Sequence, residues 1–328
     1  MCFDFLGKRR VDVTDSGATP SGASVIIAAH TFQRCESLTK AVASAITQRP
    51  QPYEVVVVVD NNPDLYQWVR TRLPEVVAVD HRGSKGASAT RNSGARAARG
   101  SILAFLDDDA VARPDWLRNL TAPLARPDVV GVGGYVEPVW LGRVPLWMPE
   151  EFLWVVGASY LGMPRSAGPI RNVWSENMAV TRADFLEVGG FREGFGKSGL
   201  EARGGEDTEF CIRLATEMQS GGWWYEPSAK VGHSVPPGRS TIRFFVLRCY
   251  NEGQTKADMA TMLGPRTGLR DERRHAAKTL PAGMSRELRQ AVTRKEFVAA
   301  QRASAIGVGL CAASLGYVVR RAQRRTTV

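Results

Sequence analysis

Cysteine is scarce in this chain of 328 residues, and its five copies are scattered along the sequence. Their number is odd and no two of them have the C-x-x-C spacing, so the sequence favours neither a disulfide framework nor a zinc knuckle. Such cysteine usage is typical of a reducing compartment, and we predict a cytoplasmic location.

The N-terminal stretch lacks the apolar run of a signal peptide. Residues 8–10 are basic, but the stretch that follows them, VDVTDSGATPSG, is polar. Because a secretory signal needs an apolar segment after its basic residues, we predict a disordered leader over residues 1–22.

Surplus positive charge is absent from most of the chain and is concentrated near its end. Residues 264–328 hold 14 Lys and Arg against 4 Asp and Glu, which accounts for the whole net charge of +10. Such a block indicates nucleic acid, an anionic membrane surface or a solvated helix face. Few aromatic side chains are interleaved with it, unlike the stacking platforms of single-strand binders, so we predict no nucleic-acid partner.

Short runs rich in Val and Ile alternate with helical stretches from residue 24 to about residue 135. This rhythm is typical of repeated βαβ units, and it predicts an α/β fold with a mainly parallel central sheet and helices on both faces. The predicted strands are SVIIAA, YEVVVVVD, EVVAVD, SILAFLD and DVVGVGGYV.

The tail contains one weakly apolar segment, residues 303–319, with arginines on both sides. It is short for a membrane span, and it fits a helix that lies in the interface of an anionic membrane. Its many Ala, Gly and Ser residues suit close packing against the body equally well. The sequence leaves both alternatives open.

The segment ILAFLDDDAVARP, residues 102–114, carries the clearest chemical signal. A buried strand that ends in three carboxylates holds them on a rigid edge, where a cation must offset their charge. We predict that Asp107, Asp108 and Asp109 serve a nucleotide and a Mg²⁺ or Mn²⁺ ion. The alternative is that one of them caps a helix beginning near Pro114, but a cap needs one carboxylate and three adjacent carboxylates repel one another.

Ligands of open parallel sheets bind beyond the carboxyl ends of the strands, and the first four predicted strands end in polar residues. Asp60, for example, could accept a hydrogen bond from the ring N–H of a pyrimidine. A glycine-bearing turn at residues 83–92 matches neither a P-loop nor G-x-G-x-x-G, but it opens a helix whose free N–H groups suit a diphosphate; a bland turn is the alternative. The residues predicted to hold the nucleotide are His30, Thr31, Arg34, Asp60, Lys85, Arg91, Asp107 and Asp108.

In their order and separation these motifs resemble glycosyltransferase family 2 on the GT-A fold, over about residues 24–256. Asp107–Asp109 resemble the D-x-D metal motif of that family, and GGEDTE at 204–209 resembles its E-D motif. His233, which follows a Tyr-x-Pro strand, resembles its late metal-shell histidine. The segments ENMAVTRADFLEVGGFRE and RCYNEGQTKA add a looser likeness to members that act on polyprenyl-linked or secondary-metabolite acceptors.

The resemblance implies a nucleoside-diphosphate sugar donor, with UDP the favoured carrier, and inversion at the anomeric carbon. Asp109, Asp107 and His233 would hold the metal, which stabilises the leaving diphosphate. Asp207, next to Glu206, would be the catalytic base, because neighbouring carboxylates raise each other's proton affinity. The alternative is an acidic first helical turn that complements the helix dipole.

By the same analogy Asn177 should bond to sugar hydroxyls on the acceptor side. Trp174 and Trp140 are candidates for stacking on a sugar or lining a prenyl channel, or else for core packing. The predicted organisation is a leader over 1–22, a GT-A domain over 23–240 with donor half 23–135 and acceptor half 136–240, and a basic helical region over 241–328.

The predicted partners are a nucleoside-diphosphate sugar and a glycan, lipid-linked or natural-product acceptor. A membrane-associated tail would place the chain at the inner face of the membrane. A nucleotidyltransferase would need a long Gly-rich loop after the first strand, where this chain has HTFQRCES. A non-catalytic sugar-nucleotide binder would lack base or metal residues, and all of them are present.

Overall fold

The computed structural model describes residues 22–193, 197–198, 201–202, 204–219, 221–264 and 269–326. Apart from Gly22, the predicted leader lies outside the described residues. The strands are β1 (Ala23–Ala29), β2 (Glu54–Asp60), β3 (Val77–His81), β4 (Ile102–Asp107), β5 (Ala110–Ala112), β6 (Val129–Trp140), β7 (Gly168–Ile170), β8 (Asn177–Thr181), β9 (Lys197–Ser198), β10 (Glu201–Ala202) and β11 (Gly222–Val235).

The α-helices alternate with the strands in the first half and follow them in the second. They are α1 (Cys35–Ile46), α2 (Pro63–Arg72), α3 (Ala87–Ala97), α4 (Trp116–Thr121), α5 (Arg182–Glu187), α6 (Glu206–Met218), α7 (Ile242–Leu263), α8 (Arg270–Arg274), α9 (Leu280–Thr293) and α10 (Phe297–Thr326). A 3₁₀ segment covers Glu150–Val156 and a π-helical turn covers His275–Thr279.

A nine-stranded sheet forms the centre of the described structure. Neighbouring strands in the order β3-β2-β1-β4 are parallel, which confirms the prediction for this half. Strand β8 is antiparallel to both β4 and β6, β6 and β11 are parallel, and β5 and β7 are antiparallel to β11. The second half of the sheet is therefore mixed, because β8 reverses the strand direction.

The central strands of the parallel half are buried on both faces, as β2 shows. The five valines of β2 are all buried, as expected for a parallel strand that is covered by helices on both sides. Strand β6 passes through the predicted division at residues 135 and 136 without a break. The division into donor and acceptor halves stays a prediction.

Helix α10 packs on α7 through one face. A Cβ on Gly253 would overlap the carbonyl oxygen of Ala313, and a Cβ on Gly316 would overlap that of Tyr250. Glycine thus allows the two backbones to cross closely, so the packing alternative holds for this face. By length and composition, residues Phe297–Arg324 of this helix also suffice to cross a membrane.

Candidate active site

A cavity of about 1870 Å³ opens at the carboxyl ends of β1, β2 and β4. Since those strands are parallel, their polar terminal residues meet at one edge of the sheet. The cavity also reaches α6, β11, α7 and α10. The predicted site residues that line it are His30, Arg34, Asp60, Lys85, Arg91, Asp107, Asp108, Asp109, Trp174, Glu206, Asp207 and His233.

Two arginines neutralise the aspartate run. The Nη1 atom of Arg34 lies 2.7 Å from Oδ1 of Asp108 and 3.1 Å from Oδ2 of Asp109. The Nη2 atom of Arg91 lies 2.6 Å from Oδ1 of Asp107. Burial raises the pKa of Asp108 to about 6; the charge of Arg34 opposes this rise and the charge of Asp109 adds to it.

The run does not cap a helix. Asp109 leads into β5, and its carbonyl oxygen accepts a hydrogen bond from the backbone N–H of Ser234 on β11. Helix α4 begins later, at Trp116, with Asp115 at the position before it. Strand pairing on both sides of the run thus holds the carboxylates at the sheet edge, and the capping alternative is wrong.

His233 joins the aspartate run from β11. Its Nε2 atom lies 3.3 Å from Oδ1 of Asp109 and 3.8 Å from Oε2 of Glu176. Burial opposes the charge of His233, but Glu176 and Asp109 raise its pKa to about 9. Burial likewise opposes ionisation of Asp109, while His233 and Arg34 lower its pKa to about 2. His233 and Asp109 therefore form an ion pair of imidazolium and carboxylate.

Metal donors in this site are few. Within the described residues no group of three His, Cys, Asp or Glu side chains forms a metal cage. Asp109 and His233 bring one carboxylate oxygen and one imidazole nitrogen together, and Asp107 is engaged by Arg91. Such a pair suits an ion whose remaining ligands come from substrate and water.

The N-terminus of α3 faces the cavity beside Asp60. Gly86 precedes the helix with a φ of +129°, which favours glycine, and its N–H donates to Oδ2 of Asp60 at 3.0 Å. Asn61 donates to the other oxygen of Asp60 at 2.7 Å. Lys85 and Thr90 line the cavity next to this helix end. The arrangement offers backbone N–H groups and a positive charge to an anion.

Asp207 stands at the start of α6, across Arg91 from the aspartate run. Burial raises its pKa, while the charge of Arg91 and hydrogen bonds from Ser175 lower it only in part. Its Oδ1 atom has no hydrogen-bond partner in the described structure. Glu206 is buried beside it. A carboxylate with a raised pKa and a free oxygen in a cavity can accept a proton from a substrate.

The side chain of Asn177 is hydrogen-bonded within the body, and its predicted contact with the acceptor stays a prediction. Its Nδ2 atom donates to the carbonyl oxygens of Tyr135 and Ala229, and its Oδ1 atom accepts from Nε1 of Trp116 at 2.8 Å. The side chain is 1 % exposed and ties three parts of the body together. With both of its N–H donors and one oxygen lone pair used, the amide is structural.

Thr31 also has a local role. Its hydroxyl oxygen accepts the N–H of Gln33 and caps the short 3₁₀ turn before α1. A contribution of Thr31 to nucleotide binding stays a prediction.

Three cavity residues were missed by sequence reasoning. Glu176 contacts His233, Ser175 bonds to Asp207, and the charge of Arg239 lowers the pKa of Asp109. Glu176 is the residue before Asn177, so the SENMAV segment does reach the cavity, through Glu176. Ser175 and Arg239 carry no pattern in the sequence that separates them from ordinary loop residues.

Comparison with known proteins supports this architecture. A curated relative, the glucosyl-dolichyl phosphate glucuronosyltransferase of Haloferax volcanii, is 31% identical over 299 residues, which is 90% of this chain and 95% of the relative. Another, the validoxylamine A glucosyltransferase of Streptomyces hygroscopicus subsp. limoneus, is 31% identical over 229 residues, 60% of this chain and 49% of the relative.

A solved structure shows the same fold over nearly the whole chain. The mannosyltransferase PcManGT from Pyrobaculum calidifontis, in complex with GDP-Man and Mn²⁺, superposes with a TM-score of 0.55 at 18% identity, and the match covers 95% of this chain and 91% of that one. This likeness establishes the GT-A fold. The family model described as glycosyl transferase family 2 matches residues 24–189. The chain therefore belongs to glycosyl transferase family 2 and is a transferase.

Proposed function

We propose that this chain is a metal-dependent, inverting glycosyltransferase that moves a sugar from a UDP-sugar to a hydroxyl or phosphate group of a lipid-linked or cell-surface glycan precursor. The observation that carries the proposal is the place of Asp109. It lies at the end of β4, 3.3 Å from His233, in the same cavity as Asp207. The charged pair proposed for the donor side and the base proposed for the acceptor side thus line the same cavity.

The nucleotide is proposed to lie over the carboxyl ends of β1 and β2. A carboxylate has about four lone-pair positions, and Asp60 uses two of them on Asn61 and Gly86, so it can still accept the ring N–H of uracil. The diphosphate would lie at the N-terminus of α3, with Lys85 nearby.

The donor set fits Mg²⁺ or Mn²⁺. Oδ1 of Asp109 accepts no hydrogen bond in the described structure, and it is 3.3 Å from Nε2 of His233. The two atoms are close enough that both would bind one ion once Nε2 of His233 has given up its proton. Asp107 would face the ribose or the water shell of the ion. When bound, the ion supplies positive charge that stabilises the leaving diphosphate. The Mn²⁺ of the mannosyltransferase structure supports this choice.

Asp207 is proposed as the base. The acceptor O–H would give its proton to the free Oδ1 of Asp207 while its oxygen forms a bond to the anomeric carbon and the bond to the diphosphate breaks. Attack from the face opposite the diphosphate inverts the anomeric carbon. Arg91 lies between Asp107 and Asp207, and its charge acts on both. Arg91 would keep Asp107, on the donor side, and Asp207, the proposed base, at a fixed distance from each other.

The chain is proposed to act at the surface of a membrane. The face of α10 opposite α7 exposes Phe297, Val308 and Leu315 at 75%, 43% and 57%. These positions share one side of a helix, and Arg294 and Lys295 stand exposed beside Phe297. An apolar stripe with basic neighbours suits the interface of anionic lipids. Arg320 and Arg324 contribute less, because both pair with Asp258.

The lipid-linked acceptor is proposed from the name of the Haloferax relative, and the cytoplasmic side from the free thiols of Cys35, Cys211, Cys249 and Cys311. A second candidate is a soluble natural-product acceptor. The close packing of α10 on α7 and the validoxylamine A relative favour it.

A transfer assay tests the proposed function. The purified chain would be incubated with a set of UDP-sugars and GDP-sugars, with or without Mn²⁺, and with farnesyl phosphate or octyl glycosides as acceptors. We expect a Mn²⁺-dependent product from a UDP-sugar, with an anomeric configuration in the NMR spectrum opposite to that of the donor. Retention of configuration, or transfer that is unaffected by chelator, would contradict the proposal.

A further inference from the structure

We propose that the part of the cavity between Trp174, Tyr160 and His275 is a subsite for a neutral hexose of the acceptor, so that the group that receives the new sugar is a sugar hydroxyl and not a phosphate. The inference rests on the proposed function and deepens it, because that function leaves hydroxyl and phosphate acceptors open.

Three flat side chains form a wall of the cavity. The rings of Trp174 and Tyr160 have centroids 6.1 Å apart and are tilted by 47°, and the rings of Tyr160 and His275 are 5.2 Å apart and nearly perpendicular. All three line the cavity and are half-buried. Aromatic faces match the apolar C–H faces of a pyranose ring, and their polar tips can bond its hydroxyls.

The wall starts beside the proposed base. Trp174 adjoins Ser175, which hydrogen-bonds to Asp207. A sugar that stacks on Trp174 would therefore lie beside the residue that bonds to Asp207, in the cavity that both Trp174 and Asp207 line. The proposed hexose subsite is thus connected through Ser175 to Asp207, the proposed base.

The structure makes room for His275. It belongs to a π-helical turn, a rare feature that is frequent at functional sites. Gly162 packs against it with a φ of +123°, and a Cβ there would lie 2.7 Å from Nδ1 of His275. Both ring nitrogens are enclosed and make no hydrogen bond of good geometry within the described residues, although the backbone of Glu151 lies near enough to raise the pKa of the ring. Burial outweighs this effect and lowers the pKa of His275, which favours the neutral ring with one N–H donor and one acceptor.

Three cations beside this wall are each paired with a carboxylate. Arg171 pairs with Glu272 at 2.7 Å, Lys256 with Glu272 at 2.8 Å and with Glu252 at 3.1 Å, and Arg248 with Glu252 at 3.0 Å. All five residues line the cavity. A phosphate would have to compete with these carboxylates for each cation, whereas hydroxyls can donate to the remaining carboxylate lone pairs.

Tyr160 also favours a hexose over a phosphate in this subsite. Burial raises its pKa to about 12, so its hydroxyl keeps the proton and can donate as well as accept. Arg273 and Arg274 also line the cavity, but they are exposed. An acceptor phosphate would meet those arginines at the solvent side of the cavity.

The test is calorimetric titration of the full chain, in the presence of UDP and Mn²⁺, with farnesyl phosphate and with octyl β-glucoside, β-galactoside and β-mannoside below their micelle concentrations. We expect at least one glycoside to bind and farnesyl phosphate to bind at least 10-fold more weakly. His275→Phe and Tyr160→Phe should each weaken glycoside binding about 10-fold while UDP affinity stays within 2-fold. Tyr53→Phe, at an exposed tyrosine outside the cavity, is the matched control and should change neither.

Two results would overturn the inference: tighter binding of farnesyl phosphate than of every glycoside, or glycoside binding that both variants leave unchanged. The same samples separate this inference from the proposed function, since UDP is titrated first. If UDP binds with Mn²⁺ and no glycoside binds, only the hexose subsite is wrong. If UDP does not bind but a glycoside binds in a manner that depends on His275, the subsite stands and the donor assignment is wrong.

Discussion

The Nε2 atom of His233 lies 3.3 Å from Oδ1 of Asp109, although the two residues come from different parts of the chain. The backbone explains this contact: β5 pairs with β11 so that His233 stands opposite Ala110, the residue after Asp109. A strand register therefore fixes the separation of the two proposed metal ligands, and each can be tested alone.

Replacement of either ligand should remove the metal dependence of nucleotide binding. Asp109→Asn and His233→Gln are each expected to weaken UDP binding in Mn²⁺ at least 10-fold and to leave the weaker, metal-free binding nearly unchanged. Calorimetry with and without Mn²⁺ measures both quantities. Asp128→Asn, at an exposed ion pair, is the control. If UDP binding kept its Mn²⁺ dependence in both variants, Asp109 and His233 would not be the metal ligands.

Asp207→Asn should stop transfer while donor binding survives. A general base contributes about 10²–10⁴-fold to rate, so we expect kcat to fall by at least about 10²-fold. UDP affinity in Mn²⁺ should stay within 2-fold of the unaltered chain, because the substitution keeps the shape of the side chain. A parallel loss of UDP affinity would instead identify Asp207 as part of the donor site.

Asn177→Ala should lower stability. The change leaves the carbonyls of Tyr135 and Ala229 and the indole N–H of Trp116 without their partner. Three lost hydrogen bonds at about 1 kcal/mol each predict a decrease of about 3 kcal/mol in the free energy of unfolding. Urea denaturation gives this value, and KM for the acceptor should stay the same at temperatures where the variant is folded. If the variant were as stable as the unaltered chain and had a higher KM for the acceptor, the result would instead support the predicted contact of Asn177 with the acceptor.

Acid should destabilise the fold through Glu272. Burial opposes its ionisation, but Lys256 and Arg171 lower its pKa from 4.5 to about 2. A depressed pKa in the folded state adds stability that is complete above about pH 4.5 and is lost as the pH falls toward 2. We expect Glu272→Gln to cost about 3 kcal/mol at pH 7 and almost nothing near pH 2. Urea midpoints at several pH values, with Glu75→Gln at an exposed site as control, measure the difference. A pH-independent difference would contradict the ion-pair account.

The apolar stripe of α10 should control membrane binding. Val308→Ser together with Leu315→Ser is expected to reduce co-sedimentation with phosphatidylglycerol vesicles several-fold, because less apolar surface enters the interface. Binding to neutral phosphatidylcholine vesicles should be weak for both proteins. Thr71→Ala, on the exposed side of α2, is the control. Equal binding of the double variant and the unaltered chain would favour the soluble-acceptor alternative.

The meeting of Asp60 and Asp107 in one cavity could be predicted from sequence, because each stands at the end of a regular parallel strand. Parallel strands bring their carboxyl ends together, so Asp60 and Asp107 needed no distance information. Glu176 and Asn177 differ in this respect. Near a strand, successive side chains point to opposite faces, so Glu176 lines the cavity whereas its neighbour Asn177 is buried in the body, and the sequence does not show which of the two faces the cavity. His275 enters the cavity from a π-helical turn after α8, a placement that no local pattern encodes.

The measurement that tests the central claim most directly is calorimetric titration of the purified chain with UDP and GDP, each with and without Mn²⁺. The account predicts binding of UDP that strengthens at least 10-fold in Mn²⁺ and weaker binding of GDP, since Asp109 and His233 would bind the ion that meets the diphosphate and Asp60 would select uracil. Binding of neither nucleotide in Mn²⁺, or equal binding with and without the ion, would contradict a metal-dependent donor site at the end of β4.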